Sequence, residues 1–334
     1  MIDLPERARA LVTPPKGIFA ADESPKSADA RLASYNIATG IEMRYKERDM
    51  FLSTPGIEQY LSGVILHEET LKQTCDLESV SCPEVLLASG ITPGIKVDQG
   101  TEPMPESPDE LITNGLIGLS KRLHGYRDEH QTGFTKWRAV IKIEGDHLPT
   151  ASAIVENAKR LAMSARCVQE AGMVPILEPE VLYDGTHSRV RCREVLVETF
   201  STLIRALDEH AVDLSAVIMK SSMALSGKGT GRIDTPEEVA EDTLGAFLTA
   251  IPKQVPGIIF LSGGQDDDQA TDNLRAIARL AVEKQVPWQL TFSYSRALQD
   301  DALKVWKGKD ENVPAAREAF LARLKKVSEA AQGL

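Results

Sequence analysis

Six histidines (His67, His124, His130, His147, His187 and His210) are scattered without an HxxxH or HxH spacing. A histidine-built metal site would therefore have to be assembled over long range, and no metal or other cofactor is expected. Four cysteines (Cys75, Cys82, Cys167 and Cys192) include no CxxC pair, which suits a reducing compartment, and a cytoplasmic protein is expected. No apolar run reaches the length of a membrane span, and no apolar segment of a signal peptide follows Met1. There is no basic run, and the net charge is −11. Such a field excludes nucleic acid and an anionic membrane surface as natural partners. It also repels a phosphorylated ligand at long range, so a site for one must gather local cations. Low-complexity segments and Pro/Ser-rich linkers are absent too. The richest loop, QGTEPMPESPD at 99–109, is too short to separate domains.

What is present is an alternation. Within 334 residues, 42% of them hydrophobic and 26% charged, eight short apolar runs recur. They are GIFAAD (17–22), GVILHE (63–68), GIKVD (94–98), AVIKIE (139–144), MVPILEPE (173–180), AVIMK (216–220), GIIFLSGG (257–264) and WQLTFSY (288–294). Continuous rather than alternating apolar runs are the pattern of strands buried on both faces. Helical stretches lie between them. Residues 152–171 place Ile154, Ala158, Leu161, Ala165 and Val168 on one stripe, with Ser152 as the expected N-cap and Gly172 as the stop. Residues 236–250 open with Thr235, Pro236, Glu237 and Glu238, a cap, a first-turn proline and two acids that suit the helix dipole. Eight parallel strands alternating with helices are the count of a single (β/α)8 barrel spanning 1–334, with a C-terminal tail from about 310. A doubly wound open sheet is the alternative, but GxGxxG is missing after the first strand, and GKGTG at 227–231 has the wrong spacing.

A barrel places its chemistry at the C-terminal ends of its strands. Here those ends carry polar groups: Asp22-Glu23, Lys96 and Asp98, Lys142 and Glu144 with Lys136 and Arg138 leading in, Glu178 and Glu180, Lys220, Ser262-Gly263-Gly264, and Ser295-Arg296. Any one of them also reads as a solvated loop residue. Lys220 follows AVIM directly, so its amine is expected in a partly desolvated pocket. Burial and a neighbouring cation such as Lys136 or Lys142 would lower its pKa and free it as a nucleophile; the bland alternative is a lysine that snorkels to the rim. Glu178 and Glu180 flank one proline and, in an extended segment, face the same side. Two carboxylates that close push one pKa upward, as a proton shuttle needs, unless both merely pair with nearby lysines. LSGGQDDD at 261–268 reads as a strand, two glycines and a helix start. That is an anion cradle of freed amides to which Arg296 can add a cation, or else only a tight turn capped by its acids.

These segments resemble a known family. ADES (21–24), GVILHEET (63–70), GIKVD (94–98), KWRAVIKI (136–143), ILEPE (176–180), LSGGQ (261–265) and FSYSRAL (292–298) are similar, in order and spacing, to class I fructose-bisphosphate aldolases, over residues 15 to 310 or so. The resemblance implies a (β/α)8 barrel and often a homotetramer. It implies reversible cleavage of fructose 1,6-bisphosphate into glycerone phosphate and glyceraldehyde 3-phosphate, a step of glycolysis and gluconeogenesis that needs no metal. By the same resemblance Lys220 is the Schiff-base lysine and Glu178, with Glu180 beside it, the acid/base. Asp22 serves the C4 hydroxyl and C3–C4 cleavage, and Lys136 positions and polarises substrate. Ser262, Gly263 and Arg296 hold one phosphate, while Lys96, Arg138, Ser24, Ser27 and Arg31 lie toward the other. Strand ends alone favour Lys142 over Lys136; the KWR motif favours Lys136.

The chain also departs from the family pattern. Ser221-Ser222 stands for the usual Pro-Asn, Ser295 for the usual glycine, and Pro25-Lys26 for a small flexible pair, with Lys26 as a relocated source of charge and Ala30 lacking a cation. The last tyrosine is Tyr294, so no tyrosine-ended tail is present. A transaldolase-like Schiff-base barrel, an aldolase for another phosphosugar such as sedoheptulose bisphosphate, and a non-catalytic scaffold barrel are the competing readings.

Overall fold

The computed structural model describes residues 3–75 and 80–334. Eight strands form one parallel sheet in sequence order: β1 (Gly17–Ala21), β2 (Leu61–Leu66), β3 (Thr92–Lys96), β4 (Phe134–Ile141), β5 (Val174–Val181), β6 (Ile218–Ser221), β7 (Gly257–Phe260) and β8 (Gln289–Phe292). The ring closes where Ala20 N donates to Tyr294 O at 2.9 Å. The expected (β/α)8 barrel is therefore the fold. Among the described residues no helix is long and apolar enough to cross a membrane.

The columns of side chains facing the barrel axis change character along the strands. In β5, Val174 and Ile176 are followed by Glu178 and Glu180; in β4, Phe134 is followed by Lys136 and Arg138; in β6, Ile218 is followed by Lys220. The lower members form one apolar cluster with Ile18, Ile65 and Ile259. Helix Leu4–Val12, whose N-cap Asp3 accepts from Glu6 N, closes this end by inserting Ala8, Leu11 and Val12 into the same cluster. Water is thus shut out of the bottom, and the charged groups that face the axis are left to the top. Intervening residues such as Trp137 and Leu177 point the other way, into the core between strands and helices.

Several boundaries differ from the sequence reading. The fourth strand begins at Phe134 rather than Ala139, so Lys136 lies inside it and Lys142 lies beyond its end. The run of β-branched and aromatic residues before Ala139 was interrupted by Lys136 and Arg138, which masked it as a strand. Loop 99–109 contains a hairpin, Thr101–Met104 with Ser107–Thr113. The helix expected from Ser152 starts at Ala151, capped by Thr150, whose Oγ1 accepts from Ala153 N at 3.2 Å. Gly172 (φ +76°) ends that region in the left-handed conformation expected of it. The helix at Pro236–Ala250 has the expected Thr235 cap and a capping box with Glu238. The segment past 310 is largely helix Val313–Ala330, and its Phe320 ring packs 5.3 Å from Phe19 and 4.8 Å from Phe51. Cys75 and Cys82 are joined in a disulfide, a pairing that the absence of CxxC did not foreshadow.

Candidate active site

The top of the barrel opens into a cavity of about 780 Å³. All thirteen candidate residues line it: Asp22, Ser24, Ser27, Arg31, Lys96, Lys136, Arg138, Glu178, Glu180, Lys220, Ser262, Gly263 and Arg296.

At its floor, Lys220 is 3% exposed and its Nζ lies 3.1 Å from Glu178 Oε1. The other oxygen, Oε2, lies 3.1 Å from Lys136 Nζ. Lys136 Nζ in turn reaches Asp22 Oδ2 at 2.6 Å. Two amines and two carboxylates therefore alternate along one buried chain. Register explains it: β4 and β5 pair Arg138 with Glu178 and Lys136 with Ile176, while Lys220 arrives from the next strand. Burial alone would raise the Glu178 pKa, but the cations of Lys136, Lys220 and Arg138 outweigh it and hold the group well below the usual carboxylate range. Asp22 behaves alike: burial opposes its charge, and Lys136 and Lys220 more than compensate. For Lys136, burial acts to lower the pKa, and Asp22, Glu178 and Asp98 together raise it.

Two expectations are corrected here. Glu178 is lowered rather than raised, because it sits between two lysines, while Glu180 has a cation of its own in Arg138 Nε. Lys142 does not belong to the site; it pairs with Glu144 in solvent, and its side chain is 42% exposed. The lysine of the KWR motif, not the one favoured by the strand-end rule, lines the cavity.

Above the floor lie two cation-bearing sides. On one, the turn after β7 places Gly263 at φ +61° and Gly264 at φ +89°, left-handed conformations that favour glycine. Gln265 N closes the turn on Ser262 O at 3.1 Å. A Cβ on Gly264 would meet Arg296 Nη2 at 3.4 Å, so the guanidinium lies over the turn. Arg296 is exposed and has no carboxylate partner within ion-pair distance among the described residues. Helix Asp267–Glu283 starts just behind, with Asp266 as its N-cap. The turn, the helix N-terminus and an arginine without a carboxylate partner are groups that could hold an anion.

On the other side, Ser24 caps helix Pro25–Ser34, accepting from Ser27 N at 3.3 Å, with its hydroxyl 3.0 Å from Ser27 Oγ. Arg31, buried, donates from Nη1 to Gln299 Oε1 at 2.6 Å and lies 3.0 Å from Glu23 and 3.4 Å from Asp300. Lys96 pairs with Asp98, whose Oδ2 also accepts from Arg138 N at 3.2 Å. Lys26 is exposed and does not line the cavity, so it supplies no relocated charge to the mouth. Sequence reasoning missed Tyr35, Ser293 and Asp300 in the lining, and Gln299 as the partner of Arg31. Only the spacing of Gln299 and Asp300 three and four residues after Arg296, on the helix that starts there, could have signalled them.

Known proteins are similar to this chain along almost its whole length. A family model described as fructose-bisphosphate aldolase class-I matches residues 3–334. The cytosolic fructose-bisphosphate aldolase 4 of Arabidopsis thaliana is 44% identical over 331 residues, 99% of this chain and 83% of that one. A probable fructose-bisphosphate aldolase class 1 of Xanthomonas axonopodis pv. citri is 43% identical, covering 99% of this chain and 97% of its own. A crystal structure of the Plasmodium falciparum aldolase, in complex with TRAP and a small-molecule inhibitor, superposes with a TM-score of 0.95 at 39% identity, over 99% of this chain and 94% of the other.

Proposed function

The chain belongs to the class-I fructose-bisphosphate aldolases, which cleave fructose 1,6-bisphosphate reversibly to glycerone phosphate and glyceraldehyde 3-phosphate through a lysine Schiff base, and from that premise we propose that Lys220 is the lysine. The observation that carries the assignment is the shared carboxylate: Lys220 and Lys136 each contact one oxygen of Glu178, and only Lys220 stands free of Asp22. Lys220 Nζ attacks C2. Glu178, ionised and 3.1 Å away, relays two protons from the Lys220 ammonium to the C2 oxygen, one that turns it into the carbinolamine hydroxyl and one with which it leaves as water, so that the iminium keeps a single N–H. The iminium then receives the electron pair of the breaking C3–C4 bond as an enamine. Asp22 takes the C4 hydroxyl proton, and Lys136, held between the two carboxylates, steadies the charge that develops beside them. Protonation of the enamine and hydrolysis of the imine return Lys220. Ser262, Gly263 and Arg296 bind one phosphate; Lys96, Arg138, Ser24, Ser27 and Arg31 serve the other end, with Glu180 orienting Arg138.

Borohydride added with glycerone phosphate should fix a three-carbon adduct on Lys220 and end activity, while EDTA leaves turnover intact. Lys220→Ala should lose several orders of magnitude in kcat. An adduct on Lys136, Lys96 or Lys142 would overturn the assignment.

We read the whole chain as one catalytic domain, working as a cytoplasmic homotetramer. Support for the location comes from relatives named cytosolic; the Cys75–Cys82 bond stands against it, because disulfides persist mainly in oxidising compartments. Thiol titration of protein prepared under intracellular redox conditions decides the second point. A solution mass near four times 36.5 kDa is the expected result for the first.

A further inference from the structure

Behind the mouth lies a second, smaller cavity whose lining includes Phe19, Ala21, Glu23, Glu47, Arg48 and Gln299. Glu23 belongs to both cavities. Glu47, on helix Ile41–Leu52, is 4% exposed, and its carboxyl makes no hydrogen bond or ion pair among the described residues. Arg48, 5% exposed, gives Nη1 to Glu69 and Gln73, while its Nη2 is buried without a partner. An acid and a cation, both short of partners, are thus enclosed together, an arrangement that is unfavourable unless something completes it.

What completes it is suggested by Arg31. In the free protein its Nη2 faces Glu23 Oε1 at 3.0 Å in an ion pair without hydrogen-bond alignment. A phosphate dianion arriving at Arg31 competes with the Glu23 carboxylate for that donor and repels it as a like charge. The space that Glu23 already lines, about 10 Å³ and so large enough for one carboxylate oxygen, holds a free guanidinium nitrogen and an acid. We propose that Glu47 and Arg48 form a receiving site for the Glu23 carboxylate, and so are positioning residues that set how readily Arg31 is released to a substrate phosphate. In the bound state Arg48 Nη2 donates to Glu23, and Glu47, carrying a proton taken from solvent, donates its O–H to the same carboxylate. The inference rests on the reading of Arg31 as a phosphate ligand.

The proton has a sign. Burial pushes Glu47 up to about 7, and the charge of Glu23 adds to it; Arg31, Arg48 and Arg44 pull the other way. Other charges nearby are Asp300, beside Arg31, Glu69 and Asp29, which neutralise Arg48 and Arg44, and His67, whose pKa burial and the Arg48 cation lower, so that it stays neutral across the pH range used. Substrate takes away the pull of Arg31 and brings Glu23 closer, so Glu47 binds its proton more tightly. Binding takes up a proton and weakens as pH rises above 7.

KM and kcat for fructose 1,6-bisphosphate, measured from pH 6.5 to 8.5 in the wild type, Glu47→Gln and Glu47→Leu, test this. Comparing variants cancels the titration of the substrate's own phosphates. The ratio of wild-type KM to that of Glu47→Gln should rise at least fivefold across the range, with the kcat ratio held within twofold. Glu47→Leu, which cannot donate, should show a KM raised severalfold and flat relative to Glu47→Gln. A constant ratio would refute the proposal, as would a Glu47→Leu profile that follows the wild type. Arg31→Ala separates the two layers. If it leaves KM unchanged, the phosphate role of Arg31 is wrong; if it raises KM while the Glu47 ratios stay flat, only the receiving site is wrong.

Discussion

Replacing Lys136 by Met removes the amine that bridges Asp22 and Glu178 while keeping most of the volume of its stem. Asp22 loses a contact of 2.6 Å and Glu178 one of 3.1 Å, and both are buried. Breaking one partner out of such a network leaves charge uncompensated and costs roughly 3–5 kcal/mol. For 334 residues, an unfolding entropy of about 2.1 cal/mol/K per residue converts this into a fall in Tm of roughly 4–7 °C. The pH dependence identifies the cause. In the wild type Asp22 and Glu178 have lowered pKa values, so their stabilisation is present above their unfolded values of 3.8 and 4.5 and fades only as pH falls through the folded ones. Without Lys136 only Lys220, joined by Arg138 at Glu178, still opposes the burial, so both folded pKa values move up and the stabilisation that ionisation gives above the unfolded values shrinks. The Tm deficit of Lys136→Met, read by calorimetry, should be largest at pH 7 and shrink toward pH 4. Adding Asp22→Asn should recover at least half of it at pH 7. A deficit equal at both pH values, or unrelieved in the double variant, would show that the amine acts through packing rather than charge.

Other outcomes are expected. Arg296→Ala should raise KM for the bisphosphate by tens of fold or more, since a charge-assisted arginine clamp on phosphate contributes roughly 1.5–3 kcal/mol; equal losses for phosphorylated and unphosphorylated ligands would remove the assignment. Gly264→Ala forces a side chain to φ +89° and against Arg296, so it should lose roughly 1–3 kcal/mol of stability and raise KM as well, checked by melting and steady-state kinetics. Deletion after Glu329 should leave turnover close to wild type, because the last residues are held by Arg275 and Arg279, which donate to Leu334 O at 2.6 Å and Gly333 O at 2.7 Å, and they do not line the mouth. A folded truncation without activity would contradict this.

The barrel was legible in the sequence because strands buried on both faces leave unbroken apolar runs, and eight of them at a regular spacing have few alternative packings. Lys220, Glu178, Asp22 and Arg296 were legible for a related reason: a charge directly after such a run has to point out of the core at the strand's end. The fourth strand was misplaced because its inward positions, Lys136 and Arg138, are charged; a local reading takes them for a loop, and only pairing with β5 shows them inside. The family motif repaired that error where periodicity could not.

Composition and run length thus determined the architecture and the residue types at the mouth, since these follow from which side chains water must not reach, while the reaction was legible only through the likeness of the motifs to class I aldolases. The ionisation of those residues was decided by tertiary structure alone. Whether Glu178 is raised or lowered depends on two amines from separate strands lying 3.1 Å from it, and whether Arg31 is free depends on Glu23, Gln299 and Asp300. Electrostatic interactions fall off over a few ångströms in a partly buried site, and the chain positions involved are up to 269 residues apart. No spacing in the sequence encodes that distance; the closing of the barrel does.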